Sequence, residues 1–379
     1  MNQQFRSKVL ADYGASASEI KELLNYNRNV FDLTQLKNFQ RFSLDEEHLI
    51  WKSLATATDV FEALKSVLVQ LQFPIQEGIS RTEIYRAVTL KGRSLFDKQS
   101  GSGLQLQYPE KLRLKIHSSL AGPVPVLLPA TRADFVSLVQ AFTKKNEPKP
   151  IPDSMGACIV ANYNNWGKIA RYRHQWSLNN NCSEADWQTE FRRIIPQKQL
   201  YRDCFIILSD GFYSGIAPDE MDLSPAQWRR LSLAIRLEHE CTHYFTYRVL
   251  GSMRNNLLDE LIADYQGIVS AVGEYRADWF LRFMGLESTN YRQGGRLENY
   301  WQRSLMSAGA FKILQHLVKA AAKNLEYFDR HYLKLQQRNL VLPALTCFTL
   351  EELASANAPE RILKTLEGIE MALHPSTMV

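Results

Sequence analysis

The chain has 379 residues, of which 45% are hydrophobic and 22% charged, the composition of an ordinary globular protein with one large domain or two modest ones. Its 45 basic and 40 acidic residues are spread along the sequence, so the net charge of +5 forms no basic block and nucleic-acid binding is not expected. No run of about 18 apolar residues occurs, which excludes a transmembrane helix and argues against a membrane partner.

The redox compartment follows from the cysteines. There are five, an odd number without CxxC spacing, which is not the pattern of a disulfide framework. The first 20 residues lack the apolar core of a signal peptide. A reduced, cytoplasmic setting is therefore expected.

The first part of the chain reads as mainly helical with a few short strands. Apolar residues at helical spacing predict helices over 17–30, 45–71 and 131–145, and the mixture of Gly, Ser and Gln at 97–109 indicates a loop. Alternation predicts short strands within 112–128. The polar, proline-containing stretch 144–154 is the best domain boundary, which predicts an N-terminal domain over 1–150 and a catalytic domain over 151–379.

Beyond residue 151 the pattern changes. Short apolar runs at 156–163 and 203–213 predict strands, with helices between them at 166–176 and 184–195. The remaining predicted helices cover 224–250, 256–272, 274–285, 303–332 and 349–373. The fold class expected is α+β, a small mixed or antiparallel sheet followed by a mainly helical bundle.

The most informative motif is His239-Glu240-Cys-Thr-His243. On a helix the two histidines lie one turn apart on the same face, where both imidazoles can bind one metal ion. The Glu240 carboxylate lies at the edge of that face, within reach of a metal-bound water. This is the HExxH pattern of zinc hydrolases.

A second sequence segment, which contains Glu260 and Asp264, supports a metal site at this motif. Ser224-Pro225 predicts where the motif helix starts, Gly251 where it ends, and the short connection predicts an antiparallel neighbour. Glu260, 17 residues after the second histidine, should then come level with it and complete a His₂Glu ligand set for one Zn²⁺. Asp264, one turn later, is placed to accept the second N–H of a ligand imidazole.

HECTH followed by DELIAD resembles the gluzincins, the thermolysin-like zinc metallopeptidases. The resemblance covers about residues 221–270 and implies zinc ligands at 239, 243 and 260, a catalytic base at 240 and a histidine partner at 264. The metzincin extension is absent, since Thr246 and Val249 stand where Gly and His would be required. The GxMEN signature of the large aminopeptidases is absent as well, so the substrate stays open.

Two further sets of residues are expected near the site. The resemblance implies a strand before the motif helix, in which Tyr213, Ser214 and Gly215 would contact substrate by strand addition. A donor to the developing oxyanion is also needed, and Tyr300 is selected for that role.

The function expected is zinc-dependent hydrolysis of a peptide or amide bond, with Glu240 as general base. One alternative is an amide hydrolase that acts on a modified peptide or a non-peptide metabolite. Another is an interaction protein that a metal ion stabilises without catalysis. In a third, the motif arises by chance, and His239 and His243 are ordinary, partly buried histidines. Oligomeric state and substrate identity are left open.

Overall fold

The computed structural model describes residues 2–36, 47–93, 103–179 and 183–373. These residues form an α+β fold. The helices, in chain order, are α1 (Gln3–Asp12), α2 (Ala17–Tyr26), α3 (Glu47–Ala55), α4 (Val60–Lys65), α5 (Glu83–Lys91), α6 (Arg132–Thr143), α7 (Trp166–Asn179), α8 (Glu184–Ile194), α9 (Pro225–Leu250), α10 (Asn256–Val272), α11 (Ala277–Met284), α12 (Ala308–His331), α13 (Arg338–Leu345), α14 (Leu350–Ala354) and α15 (Ala358–Leu373). The strands are β1 (Arg113–Ser119), β2 (Gly122–Leu128), β3 (Ala157–Asn164) and β4 (Arg202–Leu208).

The chain divides into two compact units. The first combines residues 1–43, 119–122 and 211–379, and the second combines 44–118 and 123–210. The predicted boundary at residue 150 differs from this division, because it falls inside the second unit. Strand pairing is the physical reason, since it joins Val126 of β2 to Ile206 of β4 across that boundary.

The second unit contains a four-stranded sheet with the order β1-β2-β4-β3. Strand β4 pairs in parallel with β2 and antiparallel with β3, with an irregularity between Val160 and Tyr163. The sheet is therefore mixed, as predicted. Phe205 and Ile207 of β4 are fully buried among side chains of α3, α4 and α6, so they belong to the hydrophobic core of this unit.

The first unit is helical, and α9 is its longest helix. The Ser224 side chain accepts a hydrogen bond from the Gln227 N–H, the Gln227 side chain caps in return, and Pro225 occupies the first turn. Gly251 ends the helix with φ of +74°, a left-handed conformation that glycine adopts without steric cost. Start and end both match the sequence prediction.

Helix α10 runs antiparallel to α9. Near one end of the pair Thr246 is bonded to Asp259, and near the other the backbone of Gly267 lies against Ile235. Asn255 is the residue at the N-terminal cap of α10, while Asn256 has φ of +51° and donates from its side chain to the carbonyl of Tyr26.

Two long predicted helices are divided in the structure. The helix predicted over 45–71 is α3 and α4 followed by a 3₁₀ turn, because Asp59 caps a new helix by accepting from the Glu62 N–H. The segment 349–373 forms α14 and α15 instead of one helix. Part of the predicted loop, 97–102, lies outside the described residues. Within the described part of the chain, no helix is long and apolar enough to cross a membrane.

Candidate metal centre

The three predicted ligands converge between α9 and α10. The Nε2 atoms of His239 and His243 are 3.1 Å apart, and the Glu260 carboxylate lies 3.7 Å from the first and 3.5 Å from the second. One donor atom from each residue therefore falls within 4.8 Å of the other two. Ligand atoms about 2.0–2.1 Å from a tetrahedral zinc ion lie roughly 3.3 Å apart, so these spacings fit one small cation.

A buried carboxylate orients His239 through Nδ1, the ring nitrogen that faces away from His243 and Glu260. Its Nδ1 lies 2.8 Å from Asp264 Oδ1, and Asp264 has no solvent exposure. An ionised carboxylate only accepts hydrogen bonds, so Nδ1 carries the proton and Nε2 faces the other two ligands. The structure thus brings Asp264 to the place predicted for it.

His243 has a corresponding carboxylate that sequence reasoning missed. Its Nδ1 lies 3.3 Å from Oδ2 of Asp259, whose side chain is 2% exposed. The two atoms form a close electrostatic contact, and neither makes a well-aligned hydrogen bond within the described part of the chain, while Thr246 Oγ1 donates to Asp259 Oδ1. The signal was present in DELIAD, because Asp259 immediately precedes the predicted ligand Glu260.

The electrostatics of the centre favour a positive charge. Burial alone would lower the pKa of His243, but the charges of Asp259, Glu260 and Glu240 raise it to about 10. Carboxylates that stabilise an imidazolium proton would also stabilise a metal cation in the same place. Glu240 is half-buried, and its charge contributes to the raised pKa of His243.

Arg296, which sequence reasoning missed, neutralises the carboxylate behind His239. Its guanidinium is hydrogen-bonded to Asp264 Oδ2 and lies 3.9 Å from Glu260 Oε2. Burial would raise the pKa of Asp264, but the Arg296 charge and the His239 and Tyr213 hydrogen bonds lower it to about 2. Asp264 is therefore ionised at neutral pH. Only the folded chain reveals Arg296, since 32 residues separate it from Asp264.

Tyr300 lies beside Glu260, one of the predicted ligands. It ends the 3₁₀ segment Arg296–Tyr300, and burial together with the charge and a hydrogen bond of Glu260 raises the pKa of its hydroxyl. Tyr26 of α2 donates to the Tyr300 carbonyl at 3.0 Å.

Tyr213, Ser214 and Gly215 do not form the predicted strand. Strand β4 ends at Leu208, and Tyr213–Gly215 form a 3₁₀ turn in which Ser214 has φ of +52°. Strand addition needs an extended edge, which this turn does not offer. The Tyr213 hydroxyl instead lies 2.9 Å from His239 Nδ1 and donates to Asp264 Oδ1 at 2.5 Å. Substrate contact by these residues stays a prediction.

Fold and site together define an α+β protein with a group of side chains that could hold a metal ion. The chain belongs to a family of unknown function, DUF7005, whose model matches residues 8–357. The match spans both units, so the helix pair and the sheet are both parts of what defines the family. No curated protein and no solved structure matches the chain.

Proposed function

We propose that the protein is a zinc-dependent hydrolase of gluzincin type that cleaves a peptide or amide bond. One observation carries the proposal: His239, His243 and Glu260 converge on one point, and each histidine has a carboxylate at its far nitrogen. Both imidazoles therefore present Nε2 to that point. A two-histidine, one-glutamate set leaves a coordination position for water, which is the arrangement of catalytic rather than structural zinc.

The nitrogen and carboxylate donors also favour zinc over harder cations. Calcium and magnesium prefer all-oxygen ligand sets, whereas imidazole suits zinc and its neighbours in the first transition series. When bound here, zinc would lower the pKa of its water to about 7 and polarise the attacked carbonyl.

Glu240 is the proposed general base. It lies next to a ligand in sequence, is half-buried, and acts electrostatically on His243. Its carboxylate would take a proton from the attacking water and deliver it to the leaving nitrogen, a role that typically contributes 10²–10⁴-fold in rate. Tyr300 remains the proposed donor to the oxyanion, with its hydroxyl held beside the Glu260 carboxylate.

The proposal includes a cytoplasmic setting. Cys158, Cys204, Cys241 and Cys347 are thiols rather than disulfides. That state suits a reducing compartment. Fractionation of the native cells, with immunodetection of the chain, tests this part separately from the chemistry.

The decisive variant is Glu240→Gln. The amide keeps the size of the side chain but removes the base, so we expect hydrolysis to fall about 10²–10⁴-fold with zinc content and melting temperature unchanged. Activity is read by mass spectrometry after incubation with a diverse peptide pool, with and without a chelator. Zinc is measured by elemental analysis of the same preparation.

A matched variant distinguishes the classes of function. His243→Ala removes a ligand and should abolish both zinc binding and activity. If Glu240→Gln is silent while His243→Ala lowers thermal stability, the metal is structural and the hydrolase proposal fails. Full zinc occupancy without cleavage of any peptide would redirect the search to modified peptides and non-peptide amides.

A further inference from the structure

Hydrogen bonds to two residues of α9 hold the segment around Tyr213 against that helix, although 26 residues separate Tyr213 from His239. Its backbone N–H donates to Ser232 Oγ of α9 at 2.9 Å. Just ahead of it, the Arg236 guanidinium donates to the carbonyls of Gly211 at 3.0 Å and Phe212 at 3.2 Å. The start of the 3₁₀ turn is therefore fixed to the same helix that carries the two histidines.

The ring of Tyr213 is held as firmly as its backbone. The guanidinium groups of Arg236 and Arg296 lie 5.7 and 5.6 Å from its centroid, and Phe283 packs edge-on at 5.0 Å. The residue is 5% exposed. With the ring fixed, the hydroxyl oxygen has only one position.

At that position the hydroxyl has three hydrogen-bonding neighbours. It donates its proton to Asp264 Oδ1, and its oxygen accepts from Arg296 Nη1 at 3.1 Å. A second lone pair remains, and His239 Nδ1 lies 2.9 Å away. This arrangement is satisfied only when His239 carries its proton on Nδ1, because Asp264 and the hydroxyl oxygen then both accept from it.

We propose that Tyr213 is a positioning residue that, with Asp264, fixes the tautomer and ring orientation of His239. This inference rests on the proposed metal site and assigns Tyr213 a role other than substrate contact. The Tyr213 hydroxyl oxygen and the Asp264 carboxylate both accept a hydrogen bond from the Nδ1–H of His239. The imidazole ring therefore cannot rotate about its side-chain bonds without losing both acceptors. The Nε2 lone pair is thereby held toward His243 and Glu260.

The test compares two tyrosines. Tyr213→Phe removes the hydroxyl and keeps the ring. Tyr265→Phe is the matched control, because Tyr265 is 1% exposed, lies on α10 and donates to Asp329 at 2.6 Å without touching a proposed ligand. Both variants lose a buried hydrogen bond to a carboxylate, so Tyr265→Phe reproduces that loss without affecting the contacts of Tyr213 with His239 and Arg296. Only Tyr213→Phe should weaken zinc binding, by about 10- to 100-fold in competition with a chromogenic chelator.

A spectroscopic readout separates positioning from stability. In the cobalt-substituted protein, Tyr213→Phe should shift the visible absorption bands, whereas Tyr265→Phe should leave them unchanged. Zinc affinity within twofold of wild type, together with an unchanged cobalt spectrum, would overturn the proposal.

A measurement on the metal-free protein tests the tautomer of His239 directly. Long-range ¹H–¹⁵N spectra of the wild-type apoprotein should show the His239 proton on Nδ1, and that proton should exchange faster with water in Tyr213→Phe. A wild-type protein with the His239 proton on Nε2 alone would reject the inference even if the variant failed to fold. Wild-type protein that binds no zinc would reject the proposed function, while the Nδ1 measurement would still decide the role of Tyr213.

Discussion

Each of the two proposed ligand histidines has a buried carboxylate beside its Nδ1 atom. Asp264 is at the far nitrogen of His239 and Asp259 at that of His243, and both carboxylates are almost completely buried. Such outer carboxylates fix the tautomer and raise the basicity of a ligand imidazole. The two sites differ in charge balance, because Arg296 pairs with Asp264 whereas Thr246 is the neutral partner of Asp259.

Asp259→Asn tests the second of these carboxylates. The amide keeps the shape but removes the charge beside His243, so zinc affinity should fall about 10- to 100-fold. Asp329→Asn is the control, since Asp329 is 6% exposed and accepts from Tyr265 and the Tyr275 N–H, neither of which belongs to a proposed ligand. It should reduce the free energy of unfolding without changing the zinc dissociation constant. Equal zinc affinities in the two variants would contradict the role of Asp259.

For single residues, the sequence predicted the relative positions of side chains that lie on one helix face or one helical turn apart. His239, His243, Glu260 and Asp264 followed from helical periodicity and one short turn. Tyr213 was selected but given a different role, and Arg296 was not selected. Their positions depend on a 3₁₀ turn and on a segment after α11, and neither has a periodic signal.

The antiparallel pair of helices α9 and α10 places the proposed ligands beside one another, with the two histidines on α9 and Glu260 on α10. The two helices approach closely where Gly267 meets α9, because a Cβ atom at that position would lie 2.6 Å from the Ile235 carbonyl oxygen. The Ile235 carbonyl belongs to the helix backbone, so it cannot move out of the way of an added Cβ atom as a flexible side chain would. The glycine therefore sets the separation of the two helices, and with it the distance from the histidines to Glu260.

Gly267→Ala should push α10 away from α9. We expect the free energy of unfolding to fall by about 1–3 kcal/mol, the usual cost of overpacking, with weaker zinc binding. Gly368→Ala in α15 is the control, since nothing lies within 4 Å of its added Cβ. That variant should be neutral or more stable by up to about 1 kcal/mol, because alanine has the better helix propensity. Urea denaturation measures both; equal stability of the two variants would refute the close-packing argument.

The second unit has its own buried ion pair. Lys168 Nζ lies 2.5 Å from Asp203 Oδ1, both side chains are 6% exposed, and Asn165 donates to the other carboxylate oxygen at 2.6 Å. Removal of one partner from such a pair is costly because the remaining charge stays buried.

Asp203→Asn should therefore lower the free energy of unfolding by about 3–5 kcal/mol. The exposed pair of Arg276 and Asp278, with side chains 37% and 60% exposed, provides the control. Asp278→Asn should cost less than about 1 kcal/mol, since solvent screens that pair. Chemical denaturation followed by circular dichroism measures both changes, and a loss below about 1 kcal/mol in Asp203→Asn would show that the buried pair contributes little.

For the whole molecule, the sequence determined the α+β class and the ends of α9, and it predicted that His239, His243, Glu260 and Asp264 lie together. Capping residues, a terminal glycine and helical periodicity are local signals, so they can be read without a fold. Tertiary structure alone decided that strands on both sides of residue 150 share one sheet. It also decided that Asp259, Arg296 and Tyr213 surround the histidines. Those contacts join segments distant in sequence or side chains whose direction depends on packing, and no local pattern encodes them.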